Sequence, residues 1–183
     1  MVYTLLEFEI NLKIENMKKG TIIYIIDDQS KQVLMAMKTR KVGVGCWFGY
    51  GGKIDEGETP DKCICRETLE ESLGVVVEEK DLRRVALIDF YRGDMPFGDP
   101  LWRTLFYITN EFSGEPKSSD EMLDPTWFSV NNLPWHEMKA GDELIIPKVL
   151  SGEYQKGFIR FSEDEKSVLE HDIQSCCLED LVI

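Results

Sequence analysis

The chain has 183 residues, 43% of them hydrophobic, enough for one globular domain with a core and an added element at each end. Its formal net charge of −13 argues against binding nucleic acid polymers through their phosphates. A small phosphorylated substrate would need divalent cations, or a few placed Lys and Arg side chains, to offset that field. Five cysteines, two of them adjacent at Cys176 and Cys177, do not make a disulfide framework. The acidic start of the chain and the lack of a membrane-length apolar run lead to an expectation of a soluble, cytoplasmic protein.

In chain order, residues 1–16 stand apart as an N-terminal extension. There, Phe8, Ile10, Leu12 and Ile14 alternate with polar residues in a half-buried strand pattern. Thr21–Asp27 and the run from Lys31 to Thr39 read as a hairpin of buried strands around a polar turn at Asp28–Ser30. Gly43–Lys53 is glycine-punctuated, a loop or a strand broken for close backbone approach. Thr59-Pro60 starts a helix, Thr as its cap and Pro in its first turn, and Gly74 is its expected terminator. "LRRVALIDFYR" and "LWRTLFYITNEF" read as two strands joined by the turn-rich "GDMPFGDP". "TWFSV" is a further strand, "DELIIPKVLSG" a short helix interrupted by Pro147, and "GFIRF" a last strand. Residues 163–183 read as an acidic tail or peripheral helix. Strands with two helices and no strict alternation imply an α+β sandwich.

The first helix carries Glu67, Glu70 and Glu71 at i, i+3 and i+4, which puts three carboxylates on one face, with Ile64, Thr68 and Leu69 left to pack inward. Like charges at that spacing repel by a few tenths of a kcal/mol per pair. Either a solvated surface face tolerates the repulsion, or a divalent cation removes it; hard oxygen ligands suit Mg²⁺ or Mn²⁺. The two histidines, His136 and His171, are far apart in sequence and do not compete as ligands.

The order Gly52, Glu58, Arg66, Glu67, Glu70, Glu71, with five residues between the first pair and seven between the second, resembles the signature of the Nudix hydrolases. Two positions depart from it. Thr68 stands where a large aliphatic residue is usual, and Glu71-Ser72-Leu73-Gly74 is one residue longer than the usual Glu-Glu-x-Gly ending. The resemblance implies a Nudix domain over residues 17–162, with a mixed sheet between helices. It further implies that Glu67, Glu70 and Glu71 hold Mg²⁺, that the Gly51 carbonyl adds a ligand, and that Glu58 pairs with Arg66. No Ser-His-Asp or Cys-His set supports a covalent route, so a carboxylate would act as general base: Glu67 or Glu70, with Glu121 as competitor.

Beyond the signature, the chain resembles the MutT-like branch that hydrolyses oxidised purine nucleoside triphosphates to monophosphates and pyrophosphate. The likeness lies in "GCWFGYGGKIDEGET", "SSDEM", "LPWHEMKAGDELIIP" and "GFIRF". It implies that Glu121 binds metal, that Lys38 and Lys53 lie near the phosphates, and that Thr21 lies on a pocket floor. Asp142 would read the base, with Phe48, Phe90 and Met122 enclosing the ring. Phe48, Lys139 and Gly141 replace the branch's Asn, Trp and first acid, so its specificity is expected to differ. Hydrolysis of ADP-ribose or another nucleoside diphosphate derivative, and an idle nucleotide sensor, are the competing readings.

Overall fold

The computed structural model of the chain describes residues 17–183; the strand pattern expected for residues 1–16 lies outside the described residues. Strands β1 (Lys19–Asp27) and β2 (Gln32–Lys38) form the expected hairpin. Its turn is tied by Asp27, which accepts hydrogen bonds from the Gln29 amide at 2.9 Å and the Ser30 hydroxyl at 2.7 Å. The two strands pair only from Ile25↔Leu34 to Asp27↔Gln32. Beyond that point they part, and the stretch from Trp47 to Ile54 is wedged between them. Its short strand β3 (Trp47–Phe48) pairs with Ala36 and Met37, and Tyr50 and Lys53 bridge to Ile23 and Gly20 of β1.

Glycine makes this wedge possible. A Cβ on Gly49 would lie 2.3 Å from the Ile23 carbonyl oxygen, and one on Gly51 (φ +155) 2.1 Å from that of Thr21. No side chain fits at such distances, so the "loop or broken strand" of the sequence is a strand segment laid backbone to backbone on β1.

Five more strands extend the sheet. β4 (Arg83–Arg92) pairs antiparallel with β5 (Trp102–Thr109), and β5 pairs parallel with β1. β6 (Met122–Ser129) takes the free edge of β2, starting earlier than the expected "TWFSV". β7 (Gln155–Phe161) runs parallel to β4. The acidic segment 163–183 is neither a tail nor a helix for most of its length. Val168–Ser175 is strand β8, antiparallel to β7, and Leu181 beyond it is 0% exposed in the core. The sheet is therefore mixed, ordered β3-β2-β1-β5-β4-β7-β8 with β6 beside β2.

Helix α1 (Pro60–Ser72) covers one face and α2 (Asp142–Ser151) the other. The alternation of β1 divides its side chains between them. Ile22, Tyr24 and Ile26 join Ile145, Ile146 and Val149 of α2, whereas Ile23 and Ile25 join Ile64 of α1. Each buried aliphatic side chain contributes about 1.5–3 kcal/mol, and it is these two layers that hold the helices on the sheet. The α+β class read from sequence is the observed one. No helix among the described residues is long and apolar enough to cross a membrane.

Candidate active site

Helix α1 begins as its sequence dictates. The Thr59 hydroxyl accepts from the Lys62 amide at 3.3 Å, and Pro60 occupies the first turn. Thr68, in place of an aliphatic residue, is fully buried, and its hydroxyl donates to the Ile64 carbonyl at 2.6 Å, so no polar group is stranded. Leu69 does not pack inward as expected; it is exposed. The end of the helix also differs. The left-handed cap is Leu73 (φ 50), not Gly74. Gly74 is required for another reason: a Cβ there would lie 2.4 Å from the Glu115 carbonyl oxygen.

Two cations organise the carboxylates of the helix. Arg66 makes paired 2.9 Å hydrogen bonds to Glu58 and donates through Nη1 to Glu67 at 2.8 Å and to Glu70 at 3.2 Å. The fork geometry of a guanidinium suits this role, tying the loop before the helix to the helix itself. Hydrogen bonding from Arg66 lowers the Glu58 carboxyl to about 2, and the same contacts raise the Arg66 pKa. Gly52 makes room for this arrangement: a Cβ on it would sit 2.3 Å from the Glu67 carboxyl carbon.

Lys38 is the second cation. Its buried ammonium lies 2.6 Å from Glu71 Oε1 and 3.1 Å from Glu121 Oε1. The other oxygen of Glu71 accepts from the Gly51 amide at 2.8 Å. Burial raises the Glu71 pKa against the pull of Lys38. Burial acts the same way on Glu121, but Lys41 and Lys38 outweigh it and lower that group. Arg40 and Lys41 reach Glu121 Oε2 at 3.2 and 3.0 Å.

The donor set is suited to a hard divalent cation. Glu67, Glu70, Glu71 and Glu121 offer carboxylate oxygens only, on or facing one side of α1, and Arg66 and Lys38, with Arg40 and Lys41 at Glu121, already offset their mutual repulsion. Among the described residues no three Asp, Glu, Cys or His side chains converge at ligating distance; Arg66 engages Glu67 and Glu70, and Lys38 engages Glu71 and Glu121.

A cleft of about 610 Å³ lies where the loop Lys41–Cys46 faces Met138–Ala140, Arg92 and the turn Glu163–Lys166. Lys41 lines it, and its ammonium contacts Glu121, which links the cleft wall to one of the carboxylates. Several of the residues expected around a base fall elsewhere. Met122 is fully buried in the α1-side core, and the Thr21 hydroxyl faces Cys63 of α1 at 3.4 Å, so neither belongs to the cleft. Phe90 backs the cleft indirectly, stacked on Phe161 at 5.9 Å. Phe48 packs against Gly43, whose own Cβ would collide with its ring. Lys53 is exposed, and its carbonyl accepts from Arg66 at 3.4 Å.

Asp142 is the first residue of α2 rather than its cap, which is Gly141. Its carboxylate accepts from the Lys139 amide at 3.2 Å. The residue keeps some surface, but its carboxyl points inward towards Tyr24 and Cys46, and burial pushes it up to about 7.

The residues that line the cleft, Lys41, Arg92, Lys139 and Glu165, were not singled out from sequence as a set. The one available signal was the basic run Lys38-Thr39-Arg40-Lys41 in a chain of net charge −13.

Residues 17–149 match the NUDIX domain family. The chain is 33% identical over 162 residues to an oxidized purine nucleoside triphosphate hydrolase from Danio rerio, covering 88% of this chain and 96% of that protein. It is 32% identical over 146 residues to one from Mus musculus, covering 80% and 88%. Its fold is similar to the crystal structure of a MutT protein from Bacillus halodurans, with a TM-score of 0.71 at 23% identity, over 86% of this chain and 98% of that one. The signature residues, the glycine wedge that seats them and a match running along nearly the whole of a relative agree: this chain belongs to the Nudix family and is a Nudix hydrolase.

Proposed function

We propose that the chain is a nucleoside triphosphate pyrophosphohydrolase that accepts purine nucleotides, oxidised ones included, and releases a monophosphate and pyrophosphate. The observation that carries this reading is the cleft of about 610 Å³ whose wall includes Lys41, the residue whose ammonium also holds Glu121 at 3.0 Å. The relatives named for oxidised purine triphosphates support it, since the likeness to one of them runs over 88% of this chain and 96% of that protein. In the reaction, water attacks phosphorus, a phosphoanhydride P–O bond breaks, and a proton is released from the water.

Glu67, Glu70, Glu71 and Glu121, with the Gly51 carbonyl, are the groups we assign to a divalent cation, Mg²⁺ with Mn²⁺ as substitute. Such an ion supplies charge neutralisation for the phosphates and acidifies the attacking water. The protein's own residues do the rest. Lys38 holds Glu71 and Glu121 together, at 2.6 and 3.1 Å, and keeps an ammonium beside the phosphates. Arg40 and Lys41 add positive charge at the cleft mouth, which offsets the acidic field for an anionic substrate. Arg66 fixes Glu58, and with it the loop that carries the glycines. The general base is one of Glu67, Glu70 and Glu121, each within 3.2 Å of a protein cation that positions it. Glu71 accepts from Lys38 and from the Gly51 amide through its two oxygens and is assigned to the cation rather than to the water. The catalytic unit is assigned to begin at Met17, with residues 1–16 outside it. Five free cysteines support a reducing compartment such as the cytoplasm.

The test is a steady-state screen with Mg²⁺ across dGTP, 8-oxo-dGTP, dATP and ADP-ribose, with pyrophosphate and phosphate measured separately. Pyrophosphate from the triphosphates is expected. Turnover of ADP-ribose alone would replace the reading with the diphosphate-derivative activity, and binding without any turnover would replace it with a sensor.

A further inference from the structure

The cleft contains a pair of side chains that the catalytic assignment does not use. Lys139 Nζ lies 2.6 Å from Glu165 Oε2, and the two side chains are only 14% and 27% exposed, so the pair belongs to the cleft wall rather than its rim. Arg92 approaches the other oxygen, Glu165 Oε1, at 3.5 Å. The Lys139 ammonium also sits 4.6 Å from the centroid of the Phe161 ring, which Phe90 stacks from behind. A fixed donor and a fixed acceptor thus stand together in the wall of a space large enough for a nucleobase.

Resting on the reading that this cleft receives the base of a nucleotide, we propose that Lys139 and Glu165 form the polar reader of a 6-oxo-2-amino purine. Lys139 carries donors only, and the Glu165 carboxylate carries acceptors only, with about four lone-pair sites. Lys139 occupies one of those sites and Arg92 lies 3.5 Å from the other oxygen, which leaves at least two for the base. A guanine edge supplies the matching set: O6 accepts from Lys139, while N1–H and N2–H donate to Glu165. A 6-amino purine offers one donor, N6–H, beside an unprotonated N1, so one carboxylate oxygen goes without its partner. A bidentate match of this kind discriminates roughly 5- to 150-fold between bases. Oxidation at C8 leaves this edge unchanged. The pair therefore selects guanine over adenine without selecting oxidised over normal guanine.

The measurement is calorimetric binding of the monophosphates dGMP, 8-oxo-dGMP and dAMP, which needs no turnover, to the full chain and to its Glu165→Gln and Lys139→Met variants. The wild type is expected to prefer both guanine nucleotides over dAMP by roughly 5- to 150-fold. Glu165→Gln, nearly isosteric, should bring that ratio close to one with dAMP affinity little changed, and Lys139→Met should reduce it. A lowered thermal midpoint in the variants with an unchanged ratio would overturn the proposal, leaving the pair as a strap between two loops. So would a wild type that binds neither guanine nucleotide nor dAMP. Selective monophosphate binding without triphosphate turnover would support the reader while refuting the proposed reaction, so the two failures are distinct.

Discussion

Replacing Gly52 with alanine separates the geometry of the carboxylates from the stability of the fold. The backbone at Gly52 is not left-handed, so alanine brings no conformational strain. Its Cβ would lie 2.3 Å from the Glu67 carboxyl carbon and 2.4 and 2.5 Å from its two oxygens, where ordinary contact begins at 3.4 Å. The carboxylate must therefore retreat by about 1 Å, which also breaks its 2.8 Å hydrogen bond from Arg66. Because the obstacle is the far end of a flexible side chain, the fold gives way locally, at a cost of about 1 kcal/mol or less. A displacement of that size in a reacting constellation costs on the order of 100-fold in rate. Gly52→Ala should thus lower kcat/KM for its best triphosphate about 100-fold while its thermal midpoint stays within a few degrees of wild type. Wild-type turnover in this variant would refute the reasoning, because the Glu67 position would then be immaterial.

Three further outcomes are expected. Leu73 is 51% exposed and left-handed, a conformation that costs a leucine about 1–2 kcal/mol, so Leu73→Gly should stabilise by about 0.5–1 kcal/mol after the added chain entropy, read as a rise of roughly 1–4 °C in Tm; a fall would mean that the leucine packs usefully. The Tyr50 hydroxyl is buried without a hydrogen-bond partner among the described residues, so Tyr50→Phe should be neutral or stabilising by about 1 kcal/mol in denaturant unfolding; a loss of more than that would reveal a bound water or other partner. Burial raises the Asp142 carboxyl from 3.8 to about 7, so the folded state binds the extra proton, and wild-type stability should fall as pH rises through about 7; Asp142→Asn should flatten that dependence, and parallel stability–pH curves would contradict it.

The signature helix was legible because its determinants are local. Thr59 and Pro60 start it, and the spacing of three glutamates fixes their common face whatever the rest of the chain does. The hairpin and the α+β class were legible for the same reason. The wedge of Trp47–Ile54 between β1 and β2 was not, since it depends on those two strands parting beyond Ile25↔Leu34, and its glycines mark close approach without saying to what. Which face Thr21 and Met122 would take was not legible, because neighbouring residues of a strand face opposite sides of the sheet; both turn to the α1 side. β8 was missed because most of its residues are exposed at the sheet edge, where burial imposes no alternation. The cleft pair comes from residues 139 and 165, on separate loops that only the fold brings together.

The claim at the centre is that the crowded glutamates hold a divalent cation, and manganese binding read by electron paramagnetic resonance tests it without substrate or turnover. Titrating Mn²⁺ into the wild type should show saturable loss of the free-ion signal, competed by Mg²⁺. The Glu70→Gln variant, whose side chain is 59% exposed and dispensable to the core, should bind at least tenfold more weakly with an unchanged thermal midpoint. Undiminished binding in Glu70→Gln and in a matching Glu67→Gln variant, or no saturable binding by the wild type, would contradict the assignment.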